Sequence, residues 1–393
     1  MTIDVSPISI LISAIMSTYA FMWVFFAVSS LTYHAPKTRK EKSTKSISVF
    51  IPANNEQSVV GNLISDLLNQ TYKNFEIIVI PHNCTDSTEA VAKLKASTDP
   101  RIRVLPLRTA ESGKTHPLNH ALNYAKGDII LELDADNRLP STTYLERAVQ
   151  YFEPPVNADA VQSKLKTANE DTNLLTKVQS LEYEAFAHIY WGGRNVWNLA
   201  CTVGGTGVFF RKRLLQKIGG WDNELTEDYD LFCKLEKAKA KIIYASDLIS
   251  YDEKPTTWSA VFRQRRRWMK GHTNVMIKRL KEKKNFADFL YMVHPFYNTA
   301  WFLSNCLMAI YLLTHMIHYW YPPVAVWIIS SLSVYLTVFV VLMKSDGRRL
   351  VKYIPVHFIF SSHWLPVFLL SPFTKSWGDA KTAHIGETKA KEN

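Results

Sequence analysis

"DIILELDAD", residues 128–136, is an apolar run that ends in two carboxylates, Asp134 and Asp136, one residue apart. If the run is a strand, its period of two puts both carboxylates on one face. There they repel each other unless a divalent cation removes that cost. Mg2+ takes one or two carboxylates and fills its other positions with water and substrate phosphates. The run therefore points to a nucleoside diphosphate held through a metal. Solvated turn residues, or a helix cap at a strand end, would read the same way.

Working outward, "SISVFIPANNE" (46–56) opens with a β-branched run from Ile47 to Pro52, followed by an apolar helical stripe of Val59, Leu63, Leu67 and Leu68. Then come "FEIIVI" (75–80), a helix near 87–95, "RIRVLPL" (101–107) and a helix from about Lys114 to Ala125. Strands alternating with helices predict an α/β domain with a mostly parallel sheet covered by helices. In such sheets ligands gather at the carboxyl ends of the strands, which is where Asp134 and Asp136 stand.

Downstream, "GGTG" (204–207) allows close backbone approach to a ligand, or marks a turn. "LTEDYD" (225–230) places Glu227, Asp228 and Asp230 at the start of a helix. They read either as acids complementing the helix dipole or as a base that removes a proton from an attacking hydroxyl. In "RQRRRWMKG" (263–271), Gln264, Arg267 and Trp268 share a helix face at i, i+3 and i+4. That face offers an amide, a guanidinium able to grip phosphate oxygens and a flat ring. A basic interfacial helix with a Trp anchor is the other reading.

The mean hydropathy of −0.08 conceals a segregated chain. No Asp, Glu, Lys or Arg occurs from Pro7 to Tyr33, nor between Asp288 and Lys344, and the first stretch carries no basic leader of a cleaved signal. The first tract predicts a retained span. The second has length for two, with Pro322 and Pro323 as the turn between them. A third tract, Tyr353 to Phe373, holds three prolines and reads as spanning or re-entrant. Lys37, Arg39, Lys40, Lys42 and Lys45 follow the first tract and Lys344, Arg348, Arg349 and Lys352 follow the second, which puts the N-terminus outside and the middle of the chain in the cytoplasm. The expected layout is an N-terminal span at 7–33, a cytoplasmic catalytic domain at 46–275, a C-terminal membrane region at 289–373 and a polar tail at 374–393.

The net charge of +11 lies largely beside these tracts, where anionic headgroups account for it. No zinc-finger spacing, RNA-binding sheet motif or Gly-rich phosphate loop accompanies it, so no nucleic-acid partner is expected. Cys84, Cys201, Cys233 and Cys306 have neither disulfide nor metal spacing and read as structural.

The ordered set "IPANNE", "NCTDST", "GKTHPLN", "DAD", "GGTG", "TED" and "QRRRW", flanked by apolar tracts, resembles the membrane-integrated inverting glycosyltransferases of family 2, such as cellulose, chitin, hyaluronan and poly-N-acetylglucosamine synthases. The resemblance implies a GT-A fold, a nucleotide sugar as donor, usually a UDP-sugar, and Mg2+ or Mn2+ as cofactor. By the same match Ala53 and Glu56 contact the uridine, Lys114 the nucleotide and Asp134 the diphosphate, while Asp136 coordinates the metal. Asp228 is the general base with Glu227 in support. Gln264, Arg267 and Trp268 match the "QxxRW" signature, the polar pair at the diphosphate and the Trp near the acceptor. One departure stands out: Pro81 and His82 replace an acid that reads the uracil edge, leaving His82 as a candidate donor to a uracil carbonyl. The resemblance implies transfer of glucose or N-acetylglucosamine to a growing β-linked polysaccharide, with a homo-oligomer or accessory subunit possible. Single transfer to a membrane lipid is the alternative, and a scaffold using a degenerate domain is the non-enzymatic one.

Overall fold

The computed structural model describes residues 6–39, 43–280 and 322–374. The strands are β1 (Ile47–Ala53), β2 (Phe75–Pro81), β3 (Ile102–Val104), β4 (Ile129–Glu132), β5 (Ala160–Thr167), β6 (Val208–Arg211) and β7 (Ile242–Asp252). They form one sheet in the order β3-β2-β1-β4-β6-β5-β7. Only β6 runs against its neighbours β4 and β5; the other pairings are parallel. β1, β2 and β4 are buried along almost their whole length, as strands covered on both faces must be. This is the mostly parallel α/β sheet of a GT-A fold.

The helices of the sheet domain are α2 (Val60–Leu68), α3 (Thr88–Ala96), α4 (Thr115–Tyr124), α5 (Tyr144–Gln150), α6 (Leu174–Leu181), α7 (Gly193–Val196), α8 (Lys212–Lys217), α9 (Glu227–Lys237) and α10 (Trp258–Leu280). They follow α1 (Ser6–Ser30) and precede α11 (Pro322–Lys344), α12 (Ile354–Phe360) and α13 (Trp364–Leu370). A π-helix, Glu182–Gly192, continues α6. The stripe that α2 buries is Val60, Leu63, Ile64 and Leu67, one residue out of step with the expected Val59 and Leu68.

Two strand expectations need correction. "RIRVLPL" forms a strand only over Ile102–Val104; Pro106 has no N–H to give a ladder, although Leu105 and Leu107 still donate to Val79 and Pro81. β4 stops at Glu132, so Asp134 and Asp136 stand on a turn and not on one strand face. The Asp134 N–H is taken by the side chains of Asn137, at 3.0 Å, and Thr206, at 2.9 Å, and Asn137 N–H closes the turn onto Asp134 O. Local side-chain partners of this kind compete with the ladder and end it.

Ser13–Ser30, Ala325–Lys344 and Asp346–Phe373 have the length and apolar composition to cross a membrane. α1 and α11 bury Met16, Trp23, Val338 and Leu342 together with Leu181, Ala185 and Ile189 of the sheet domain. Trp23 packs on Phe186, with ring centroids 4.8 Å apart. Pro322 and Pro323 start α11, a position that tolerates a missing N–H. The third tract is broken into short α and 3-10 pieces, with Pro355, Pro366 and Pro372 each in the first turn of one. The other half of the second tract, Cys306, Lys40 and Lys42, and all of the tail beyond Thr374 lie outside the described residues. Cys84, Cys201 and Cys233 are buried.

The "GGTG" loop leads into β6 and packs against β5 and β7. Gly207 has φ +63, and a Cβ there would sit 2.4 Å from Ser163 Oγ and 2.7 Å from Ser250 Oγ. Gly207→Ala is expected to cost on the order of 3 kcal/mol, from the left-handed backbone and the overpacking together. A thermal melt of the detergent-solubilised variant checks this, with a midpoint several degrees below wild type.

Candidate active site

The carboxyl ends of β1, β2 and β4 and the start of antiparallel β6 meet along one edge of the sheet. Lys114, which precedes α4, is the centre of the charge arrangement there. Its Nζ lies 2.8 Å from Glu132 Oε1 and 2.7 Å from Asp134 Oδ1, and it donates to Gly205 O. Burial works against the Lys114 ammonium, but Asp134, Glu132 and Glu227 outweigh it and raise its pKa. Arg267, on α10, donates from Nη1 to Leu225 O at 2.8 Å and faces the fields of Glu227, Asp228 and Asp134.

Two cations thus face four carboxyls, Glu132, Asp134, Glu227 and Asp228. The acid excess shows in the titration of the two most buried. Burial, reinforced by Asp134 and Asp228 against the pull of Lys114, pushes Glu132 up to about 7. Burial, reinforced by Asp228, pushes Glu227 up to about 8. A diphosphate would add negative charge to this edge, so a divalent cation is what makes its entry favourable. Among the described residues no three His, Cys, Asp or Glu side chains are grouped to hold a metal by themselves. The donor set still fits a one- or two-carboxylate Mg2+ or Mn2+ site, with Asp136 on the turn and the second oxygen of Asp134, completed by phosphates and water.

The loops after β1 and β2 are sewn together beside this cluster. Ala53 O accepts from His82 N–H at 2.8 Å, and Asn54 Nδ2 donates to His82 O at 2.6 Å. Glu56 N–H donates to Thr88 Oγ1 at 2.6 Å, and Asp86 accepts from Thr88 N–H at the start of α3, a capping role. Ala53, Glu56 and His82 are therefore brought together where these two loops adjoin. The His82 ring is buried, with Nε2 2.8 Å from Thr109 Oγ1, and burial lowers its pKa.

Asp228 lines a cavity of about 300 Å3. Gly205, at φ +70, sets the "GGTG" backbone against Asp228; a Cβ there would lie 3.2 Å from Asp228 Oδ2. Asp228 Oδ1 accepts the Tyr229 N–H at 2.8 Å, which fixes the carboxylate at the first turn of α9. Trp268 lines the cavity beside it, as do His272, Trp191 and Trp364. Gln264 does not line it. The π-helix contributes Glu182, Tyr183, Phe186, Ala187, Tyr190 and Trp191. The wide i→i+5 winding keeps residues four and five apart in one column.

Sequence reasoning missed Glu132, Asn137, Thr206, the π-helix, Arg265 and Trp364. A signal existed for Glu132, since a carboxylate inside "IILEL" is a buried charge that needs a partner. None existed for the π-helix, whose register follows neither a period of two nor 3.6.

The Glu227 shift fixes a pH dependence. The folded chain holds the Glu227 proton above the ordinary carboxylate value of 4.5, so stability is lost as pH rises from there through about 8. In the presence of a chelator, Glu227→Gln should match wild type in thermal stability near pH 5 and exceed it increasingly toward pH 8.5. Parallel melting curves across that range would contradict the assignment.

The profile described as "Glycosyltransferase like family 2" matches residues 44–271. The chain is 26% identical over 359 residues to a probable glycosyltransferase, YdaM, of Bacillus subtilis, covering 86% of this chain and 85% of that one. It is 30% identical over 229 residues to a beta-monoglucosyldiacylglycerol synthase of Synechocystis, covering 57% of this chain and 47% of the relative, so it spans about half that protein's length. It is 23% identical over 298 residues to a poly-beta-1,6-N-acetyl-D-glucosamine synthase of Staphylococcus aureus, covering 72% and 71%. The fold is similar to that of the mannosyltransferase PcManGT from Pyrobaculum calidifontis, solved with GDP-Man and Mn2+, at a TM-score of 0.68 and 17% identity over 94% and 99% of the two chains. With the matched profile spanning more than half of its residues, the chain belongs to the family-2 glycosyltransferases and is a glycosyltransferase enzyme.

Proposed function

We propose that the protein is a multi-pass membrane glycosyltransferase that moves glucose or N-acetylglucosamine from a UDP-sugar, with inversion, to a growing β-linked polysaccharide. In this reading the catalytic domain is cytoplasmic, the N-terminus is outside, and transfer is processive and coupled to export. The observation that carries the reading is Asp228, which lines the aromatic cavity and also acts on Arg267 and Glu132 of the Lys114 charge cluster. A donor on one side and an acceptor on the other would meet at its carboxylate.

In this reading each group has its own task. Asp228 takes the proton of the acceptor hydroxyl as its oxygen attacks the anomeric carbon, and the bond to the diphosphate breaks on the opposite face. In this reading no second carboxylate among the described residues is assigned as a nucleophile, so displacement is direct and an α-linked donor gives a β-linkage. Lys114 and Arg267 face the charge that builds on the departing diphosphate. Asp134 and Asp136 would hold the divalent cation, which neutralises diphosphate charge when bound. Glu227, buried and adjacent to Asp228 in the chain, is a supporting group, and Trp268, which lines the cavity, would meet the acceptor.

The polysaccharide acceptor is supported by the likeness to the poly-N-acetylglucosamine synthase, which runs over most of both chains, and by the ring-lined cavity. A membrane-lipid acceptor is the second reading. The match to the glucosyldiacylglycerol synthase favours it, at higher identity but over a shorter stretch. The decisive assay is UDP release by the detergent-purified protein with Mg2+ or Mn2+, UDP-glucose and UDP-N-acetylglucosamine being supplied separately. One donor should turn over, and Asp228→Asn should lower the rate by about 10²- to 10⁴-fold, as for loss of a general base. A variant as active as wild type would contradict the role of Asp228.

A further inference from the structure

Trp364 lines the cavity beside Asp228 although it belongs to the third apolar tract, beyond the matched catalytic region. Arg265 holds it there. The Arg265 guanidinium, itself only 5% exposed, lies 4.4 Å from the centre of the Trp268 ring and 5.4 Å from that of Trp364. Its Nη2 is ion-paired with Glu182 of the π-helix, and Glu182 Oε1 lies 3.7 Å from His357 Nε2. Two more ties join the same elements: Arg266 Nε donates to Leu370 O at 3.2 Å and Lys270 Nζ to Pro372 O at 3.4 Å.

A buried ion pair is a costly way to join two helices, because packed apolar side chains would stabilise the contact as well or better. What the arginine adds is a plane. A guanidinium can stack on two rings while its edge binds a carboxylate, so it sets the attitude of both tryptophans at once. At about 300 Å3 the cavity is at the low end for small-molecule sites, room for the end group of an acceptor and not for a long stretch of it. Its lining mixes ring faces with Asp228, Glu182, Thr202 and His272. That mixture suits a pyranose ring, which has an apolar C–H face and a rim of hydroxyls.

We propose that Trp364 is a specificity-determining residue that stacks the terminal sugar of the acceptor, with Arg265 and Glu182 as positioning residues. This rests on the saccharide acceptor of the proposed function. The test uses the full chain in detergent, the UDP-sugar that it turns over, and a soluble β-linked trisaccharide of the same sugar as acceptor. Trp364→Ala should raise the acceptor KM about tenfold, the scale of one aromatic contact, with the donor KM and the calorimetric Kd for UDP as in wild type. Trp364→Phe should recover most of the loss, and it reads the same split against Trp364→Leu if the alanine variant does not fold. Arg265→Lys, which keeps the charge but not the plane, should also raise the acceptor KM alone. An unchanged acceptor KM in Trp364→Ala, or donor and acceptor KM rising together, overturns the assignment. A wild type that refuses the trisaccharide and glycosylates only lipid overturns the saccharide acceptor, here and in the proposed function alike. A wild type that accepts it while Trp364→Ala is unaffected removes only the role of Trp364.

Discussion

The arrangement of this protein turns on an imbalance of charge at the carboxyl edge of its sheet. Lys114 reaches Glu132, Asp134 and the Gly205 carbonyl at once, and Arg267 closes the group from α10, yet four carboxyls face these two cations. Left alone, the most buried carboxyls answer by holding protons, as the raised values of Glu132 and Glu227 record. Elements far apart in the chain are constrained by this group: the turn after β4, the loop before β6, the first turn of α9 and the middle of α10. Asp134 N–H is taken by Asn137 and Thr206 where β4 ends, and the Asp134 carboxylate faces Lys114.

The second constraint is the join between the sheet domain and the apolar helices. Trp23 of α1 packs on Phe186 and Tyr190 of the π-helix, and the opposite end of the same helix carries Glu182, the partner of Arg265. Burial alone would raise the Glu182 carboxyl; Arg265, with His357 and His363, more than offsets it and holds it at about 2. One short π-helix therefore touches the apolar helices on one side and the cavity on the other. That continuity is the physical basis for treating the apolar segments as part of the cavity's surroundings.

Much of the fold was legible because its strands are short apolar runs punctuated by Pro, Asn and Asp, and buried parallel strands need no other signal. "FEIIVI" and "SISVFIPA" differ by at most a residue or two from β2 and β1. The end of β4 was misread because Asn137, three residues on, shares the Asp134 N–H with Thr206, more than sixty residues away in sequence, and no local pattern reveals that second partner. The charged members of the site were legible by type and order: the structure gathers Lys114, Asp134, Glu227, Asp228 and Arg267 at one edge. What lay beyond the sequence were contacts made through space by residues of unremarkable local context. Trp364 sits in an apolar tract that reads as membrane, and Arg265 is one of four arginines in a row of five residues, distinguished only by Glu182.

The central claim is that the Lys114 cluster exists to hold a metal-bound diphosphate, and calorimetric titration of the purified chain with UDP, with Mn2+ and with a chelator, tests it most directly. The account predicts binding that depends on Mn2+ and is lost in Asp136→Ala, because a diphosphate arriving without its cation brings its negative charge to an edge already lined by carboxyl groups. UDP binding of equal strength in chelator, or undiminished in Asp136→Ala, would contradict it.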